Sequence, residues 1–232
     1  MSTVTAASSN LHTVQTGPSI RHFLFRRLHS LTGIIFGGYI VIHLLINASL
    51  LEGAATSGLP TVFQVQVDKI HSLPFLFVVE TVFIYLPLLF HAVYGIWITV
   101  TGKPNVANYP FGKNWFYVLQ RASAIILVFF IAFHIFGMKG LLGSSLAFDP
   151  ARATDTTIAH MNSSWLVGWV VYPIGIFAGC YHLANGFWTA AITWGLTVSR
   201  QAQRRWGLVC VGLFFLTFGS GMTALAAALM RH

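Results

Sequence analysis

The chain has 232 residues, 56% of them hydrophobic and only 8% charged, with a mean hydropathy of +0.72. Charged residues make up about a quarter of an average soluble domain, so this composition excludes an ordinary water-soluble globule. The formal net charge of +8 at pH 7 is compatible with contact to an anionic surface or partner.

The chain begins with a polar segment. Residues 1–17 contain no Lys, Arg, Asp or Glu and are rich in Ser and Thr, which predicts that residues 1–20 form a flexible cytoplasmic tail. Five apolar runs follow, near 27–51, 75–101, 116–142, 164–198 and 204–230.

Each run reaches the roughly 20 residues that a helix needs to cross a bilayer. Lipid offers no partner to an unpaired backbone amide, so all five runs are expected to be helices. The fourth run is longer than a bilayer requires and is expected to tilt or to project into water. The sequence predicts an all-α integral membrane protein, with one five-helix transmembrane domain over residues 21–232.

Lysine and arginine are distributed unevenly between the two ends of the predicted bundle. Short loops rich in these residues mark the cytoplasmic side of a membrane protein. A cytoplasmic N-terminus assigns nine of them to that side: Arg21, Arg26, Arg27, Lys103, Lys113, Arg121, Arg200, Arg204 and Arg205. The other side receives four, Lys69, Lys139, Arg152 and Arg231, and all five acids, Glu52, Asp68, Glu80, Asp149 and Asp155. We therefore predict a cytoplasmic N-terminus, an outside C-terminus, and a basic face that contacts anionic lipid or a soluble partner, with no nucleic acid.

Four of the ten histidines lie well within predicted helices: His43, His91, His134 and His182. Polar side chains at that depth are costly and usually functional. A single such histidine could be a packing residue bonded to a backbone carbonyl, a proton carrier or a metal ligand. Four histidines on four different helices favour a shared chemical role.

An internal repeat relates these histidines. His43 precedes His134 by 91 residues, and His91 precedes His182 by 91 residues. At that offset HAVYGIW (91–97) aligns with HLANGFW (182–188) and shares its His, Gly and Trp, whereas the sequences after His43 and His134 match only loosely. We interpret the pattern as a degenerate duplication of a two-helix unit, although similar composition can also produce a few identities.

Helical rise places the histidines at two depths. His43 and His134 each lie 9 residues, or roughly 14 Å, from the outer ends of their helices. His91 and His182 lie 17 and 18 residues in, or roughly 26 Å. The sequence thus predicts an outer pair, His43 with His134, and an inner pair, His91 with His182.

Two imidazoles that face each other across a bundle suit the axial positions of a six-coordinate haem iron. Gly95 and Gly186 follow the inner histidines by four residues, on the same helix face, where a missing side chain leaves space for a flat macrocycle. They could instead be ordinary small residues at helix contacts. A proton-relay transporter would need more carboxylates within the spans than Glu80, and a zinc site would gather its ligands at one level.

The segment FRRLHSLTGIIFGGYIVIHLL (25–45), the layout of the four histidines and the HxxNGxW pattern at 182–188 closely resemble one family. It is the single-chain, two-haem cytochrome b subunit that anchors bacterial succinate dehydrogenase and fumarate reductase in the cytoplasmic membrane. The resemblance covers residues 20–230. FRRLHSLTG followed by a histidine within the helix is fairly specific to the family, whereas five helices alone are not.

The resemblance implies two haem b groups, a proximal one on His91 and His182 and a distal one on His43 and His134. It also implies that the basic face docks an iron–sulfur subunit, which carries a flavoprotein subunit with the dicarboxylate site. Electrons from succinate would pass through both haems to a quinone, usually menaquinone in two-haem forms. This chain would be the electron-transferring and quinone-binding subunit of succinate:quinone oxidoreductase, in the respiratory chain and the tricarboxylic acid cycle.

Residues at the inner end of the first helix are predicted to lie near the proximal haem. His29, Arg26 and Arg27 are within reach of its propionates, which they would bind by charge-assisted hydrogen bonds. They could equally be interfacial anchors and topology signals.

The quinone site is expected near the distal haem, toward the outer face. Quinone reduction consumes protons, so Asp68, His71 and Glu80, with Lys69 beside them, are candidate relays. Some family members carry a glutamate two residues before the fourth histidine, where this chain has Cys180, so a proton path through that position is not expected here.

Two other functions stay open on the sequence alone. The chain could be the dihaem cytochrome b of another membrane dehydrogenase, or a haem-free transporter or structural anchor.

Overall fold

The computed structural model describes residues 20–52, 60–104 and 106–231. The predicted tail, residues 1–20, lies outside this part of the chain apart from its last residue, Ile20. The helices of the described residues are α1 (Ile20–Ala48), α2 (Val62–His71), α3 (Leu76–Thr101), α4 (Gly112–Met138), α5 (Ala153–Met161), α6 (Val167–Thr193) and α7 (Arg200–Leu229). A 3₁₀ turn, Ser49–Glu52, extends α1.

Five of these helices, α1, α3, α4, α6 and α7, are long and apolar enough to cross a membrane. The prediction of an all-α integral membrane protein with five spans is therefore confirmed. Helix α1 packs closely on α3, and α4 packs closely on α6. Contacts of α3 with α4 and of α1 with α6 close these two pairs into a four-helix bundle, and α7 lies outside it against α1 and α6.

Small residues allow the helices to approach closely. A Cβ added at Gly37 of α1 would lie 2.7 Å from the Leu183 side chain of α6, and one added at Gly221 of α7 would lie 2.7 Å from Ile176 of α6. Helices in lipid associate through such close packing, because there is no hydrophobic force between their apolar surfaces.

The two ends of the bundle differ in charge, and only one of them has short helices packed over the spans among the described residues. We call the end where α1 begins the basic end, because nine lysines and arginines lie on that side in the sequence, and the other the acidic end. At the acidic end α2 and α5 pack over the spans through a cluster formed by Leu50, Phe63, Val67, Ala153, Ala224 and Ala227. A hydrogen bond of 2.6 Å joins Thr61 to Thr154, and Gln64 Nε2 donates to the carbonyl of Pro150 at 2.7 Å.

Helices α3 and α6 each contain a π turn just before a proline. The π turns are Thr81–Tyr85 and Val167–Val171, and Pro87 and Pro173 follow them at the second residue of the regular helix. Proline has no N–H and clashes with the carbonyl four residues earlier, and a wider turn relieves both problems. Both helices therefore continue through their proline.

Several helix ends differ from the sequence-based bounds for a local reason. Helix α4 ends at Met138 and α6 at Thr193, rather than near 142 and 198. Gly140 (φ +73°) and Gly195 (φ +74°) adopt the left-handed conformation, and the next residue bonds back to the carbonyl of Phe136 or Ala191 at 2.9 Å. These bonds form Schellman caps, which end a helix. Helix α1, in contrast, is longer than predicted, because it begins at Ile20 rather than near 27.

The Schellman cap of α6 generates a prediction. Gly195→Ala is expected to destabilise the protein by about 1 kcal/mol, because a Cβ disfavours the left-handed conformation. The measurement is the thermal unfolding midpoint of the purified chain in detergent. Gly219→Ala is the matched control, since nothing lies within 4 Å of its added Cβ in the middle of α7, and it is expected to be neutral or stabilising. Equal midpoints for the two variants would contradict the role of the cap.

Candidate functional site

The structure brings four histidines together as two pairs inside the bundle. His91 of α3 faces His182 of α6, with ring centroids 6.0 Å apart and planes at 88°. His43 of α1 faces His134 of α4, with ring centroids also 6.0 Å apart and planes at 76°. The first pair lies toward the basic end and the second toward the acidic end.

The rings of the inner pair are held by main-chain carbonyls of the neighbouring helix. His91 Nδ1 donates to the carbonyl of His29 at 3.0 Å, and His182 Nδ1 donates to the carbonyl of Gln120 at 3.2 Å. In both bonds the histidine comes 62 residues after the residue whose carbonyl it binds. The two acceptor residues, His29 and Gln120, are themselves 91 residues apart, so the hydrogen bonds follow the internal repeat. Because Nδ1 carries the proton, Nε2 is the nitrogen with a lone pair available to a metal.

The amide side chains of Asn185 and Gln120 form a further hydrogen-bond network around His182. Asn185 Nδ2 donates to Gln120 Oε1 at 2.7 Å, and Gln120 Nε2 donates to the carbonyl of His182 at 3.1 Å. The hydroxyl of Ser123 lies 3.3 Å from His182 Nδ1. The His and Asn of the HxxNGxW pattern are therefore both tied to Gln120 on α4.

The outer pair is held by side chains. The hydroxyl of Tyr172 lies 3.0 Å from His134 Nδ1. His43 contacts the residues one turn before and one turn after it on α1. The hydroxyl of Tyr39 lies 3.4 Å from His43 Nδ1, and the side chain of Asn47 donates to the carbonyl of His43 at 2.7 Å. The outer pair thus differs from the inner pair in having no carbonyl of a neighbouring helix on its ring nitrogens within the described residues.

Three glycines border the inner pair. A Cβ at Gly33 would lie 2.6 Å from Cε1 of His91, so the absence of a side chain at this position leaves the space that the ring occupies. A Cβ at Gly95 would lie 3.3 Å from His29, and one at Gly186 would lie 3.6 Å from Gln120. Gly95 and Gly186 therefore face the two residues whose carbonyls hold the inner histidines. Their predicted role in making room for a macrocycle stays a prediction.

His29 and the two arginines next to it have different surroundings. The ring of His29 stacks on His91 with centroids 4.1 Å apart, and its Nδ1 is buried without a partner among the described residues. The guanidinium carbon of Arg27 lies 5.1 Å from the ring centroid of Phe23 and 4.8 Å from that of Trp194. Arg26 is exposed.

Three of the four candidate relay residues lie on the short helix α2 at the acidic end, and the fourth, Glu80, lies on the span α3. Asp68, Lys69 and His71 are exposed on α2, and Asp68 accepts a hydrogen bond of 2.8 Å from Gln64. Glu80 is partly buried in α3, directly before its π turn.

The sequence reading missed the polar residues that hold the pairs, namely Gln120, Ser123, Asn185 and Tyr172, and it missed His160. His160 lies on α5, between the spans α4 and α6, and is fully buried, and its Nδ1 donates to the carbonyl of Leu146 at 3.1 Å. A Cβ at Gly137 would lie 2.7 Å from this ring, and burial lowers the pKa of His160. The ring centroid of His160 lies 5.7 Å from that of Tyr172, so α5 reaches the surroundings of the outer pair.

Trp97 belongs to an aromatic cluster at the basic end. Its ring stacks on Tyr94 with centroids 5.3 Å apart, and Tyr94 in turn lies 5.7 Å from Phe25. The rings of Tyr94 and His29 are 5.5 Å apart, so the cluster extends from the end of α3 to the inner pair.

Comparisons with known proteins agree with this architecture. Residues 105–221 match the family described as the succinate dehydrogenase/fumarate reductase transmembrane subunit, which is about half of the chain. The succinate dehydrogenase cytochrome b558 subunit of Bacillus subtilis (strain 168) is 34% identical over 210 residues, which cover 89% of this chain and 97% of that protein. With five membrane-spanning helices and these matches, the chain belongs to the family of transmembrane subunits of succinate dehydrogenase and fumarate reductase.

Proposed function

We propose that this chain is the cytochrome b anchor subunit of a succinate:quinone oxidoreductase and binds two haem b groups. His91 and His182 would hold the proximal iron, and His43 and His134 the distal iron. The observation that carries the proposal is the arrangement of four imidazoles from four helices as two pairs, each with ring centroids 6.0 Å apart. The name cytochrome b558 of the Bacillus subtilis relative supports the choice of haem b.

The spacing of each pair fits two imidazoles that would hold one iron between them. A metal–imidazole bond is about 2 Å long and a ring centre lies roughly 1 Å beyond its nitrogen, so two such ligands have ring centres about 6 Å apart. The hydrogen bonds on Nδ1 support the same fit, because a ligating histidine usually donates its other N–H to a carbonyl or similar acceptor. Bound haem would supply a reversible one-electron centre at each level.

The uneven distribution of lysine and arginine between the two ends of the bundle supports a direction for electron transfer, from the basic end to the acidic end. The basic end, with nine lysines and arginines, would face the cytoplasm and dock the iron–sulfur subunit, which in turn carries the flavoprotein subunit. Electrons would enter at the inner pair and leave at the outer pair, where menaquinone is the proposed acceptor. This chain would then hold the electron path and the quinone site, and the dicarboxylate chemistry would belong to its partner.

Proton supply to the quinone is proposed to come from the acidic end. All five carboxylates of the chain lie on that side in the sequence, which supports the candidates Asp68 and Glu80, with Lys69 and His71 beside Asp68. Titratable groups are required there because quinone reduction takes up protons.

His29 is the proposed propionate partner whose surroundings support the role best. Its ring stacks on His91, and its buried Nδ1 has no partner among the described residues. Arg26 and Arg27 remain proposed partners at the same end of α1, although Arg27 already lies against two aromatic rings.

Isolation of the protein from native membranes in mild detergent tests this function. A pyridine haemochrome assay is expected to give two haem b per chain, and an iron–sulfur protein and a flavoprotein are expected to co-purify. A folded preparation without haem would refute the redox function. Two haems with other partner subunits would instead indicate a different membrane dehydrogenase.

Substitution of single ligands tests the pairing. His91→Leu and His182→Leu should each remove the proximal haem and leave the distal one, because each deletes one of the two imidazoles that would hold the same iron. His43→Leu and His134→Leu should have the reverse effect. Optical spectra and haem content of the four purified variants measure this, and equal loss of both haems from every variant would contradict the pairs.

Substitution of the residues behind the ligands gives a crossed test. Asn185→Leu breaks the amide network on His182, and Tyr172→Phe removes the hydroxyl 3.0 Å from His134 Nδ1. Such partners typically change metal affinity by about 10- to 100-fold. Asn185→Leu should therefore weaken or shift only the proximal haem, and Tyr172→Phe only the distal one, in redox titrations of the two variants. Each variant controls for the other, and an equal shift of both haems in both variants would count against separate sites.

A further inference from the structure

Arg121 is a partly buried cation inside a membrane span. It lies on α4, seven residues after Asn114, where the span begins, or roughly 10 Å along the helix. Its Nη2 donates to the carbonyl of Ile98 at 3.0 Å, and its guanidinium carbon lies 3.8 Å from the ring centroid of Tyr117. Its Nη1 is buried and has no hydrogen-bond partner within the described residues.

None of the five acidic side chains, all of which lie within the described residues, forms an ion pair with Arg121. All five belong to the acidic side in the sequence, and the ion pair found in the described part of the chain joins Arg152 to Asp149. The carbonyl at the C-terminal turn of α3 and the face of Tyr117 supply only partial negative charge. A charge within a span is costly and is usually paired, so an anion from outside the chain is expected at Nη1.

The position of Arg121 relates this anion to the inner pair. Arg121 directly follows Gln120, whose carbonyl holds His182. Ile98, which the guanidinium binds, lies seven residues after His91, or roughly 10 Å further toward the basic end. The guanidinium therefore lies between α3 and α4, on the side of the inner pair that faces the basic end.

We infer that Arg121 binds a carboxylate of the group held between His91 and His182, which is a propionate of the proximal haem if the proposed function holds. Guanidinium binds carboxylates strongly because its planar fork offers several donors, and the unpartnered Nη1 is such a donor. The sequence favoured His29, Arg26 and Arg27 for this role because they lie at the inner end of the first helix. Among the arginines of the described residues, Arg121 is the one with a buried donor that has no partner.

The competing explanation is a purely structural one, in which Arg121 only caps the end of α3. Gly102, just beyond α3, has no Cβ and so allows the guanidinium to approach, which suits either explanation. The two differ in whether the charge acts on the proximal haem, because a positive charge next to a haem stabilises its reduced form and raises its potential.

The experiment compares three variants of the complete membrane complex by redox titration, with the distal haem as the internal reference. Arg121→Gln removes the charge, Arg121→Lys keeps it without the fork, and Arg152→Gln removes an exposed charge at the acidic end, away from the proposed docking face. Arg121→Gln is expected to lower the potential of the proximal haem, or to lose that haem alone. Arg121→Lys should largely restore both, and Arg152→Gln should resemble the unmodified protein.

Other outcomes would overturn the inference. If Arg121→Gln keeps both potentials, the anion is not a haem carboxylate, and loss of bound anionic phospholipid in mass spectra of that variant would identify a lipid phosphate instead. If both haems shift together and the unfolding temperature falls, Arg121 is a structural cap. Unmodified protein without haem would refute the proposed function itself, which distinguishes that failure from these.

Discussion

The hydrogen bond from each inner histidine to a main-chain carbonyl of the neighbouring helix is the interaction on which this structure depends. An imidazole N–H without a partner is costly at membrane depth, and lipid cannot supply one. The carbonyls of His29 and Gln120 are already within helices, so a second hydrogen bond to them requires close packing of α1 on α3 and of α4 on α6. Gly33 permits this approach on one side by leaving room for the His91 ring.

The same constraint explains where polarity is found in the spans. Gln120, Ser123 and Asn185 form a local group around His182, whereas residues such as Val93 and Phe129 are 61% and 72% exposed and form an apolar surface suited to lipid. The polar side chains of this group thus lie where other polar groups can bind them. The buried core of the chain lies mainly along α6 and α7 and beneath α2 and α5, which fixes the bundle at its acidic end.

Sequence reasoning reached the architecture because the signals for it are local. Spans follow from apolar length, and the two histidine levels follow from helical rise, so the same pairs are those whose rings lie 6.0 Å apart. Haem binding by these pairs stays a prediction. The helix ends at Met138 and Thr193 were missed because Schellman caps at Gly140 and Gly195 stop helices inside apolar sequence. Gln120 and Tyr172 were missed because an uncharged polar residue gives no sign of which helix it faces until the packing is known.

The π turns also reveal where the two halves of the duplication have diverged. The inner histidines and the residues that hold them keep an offset of 91 residues, but the π turns begin at 81 and 167, an offset of 86. A π turn changes the rotation of everything beyond it. The two halves therefore share their hydrogen bonding at the basic end, whereas α3 and α6 differ toward the acidic end, where α6 carries Tyr172 and α3 carries Thr81 at the equivalent position. A duplicated unit can in this way keep a near-symmetric clamp at one depth of the membrane while building an asymmetric environment at the other.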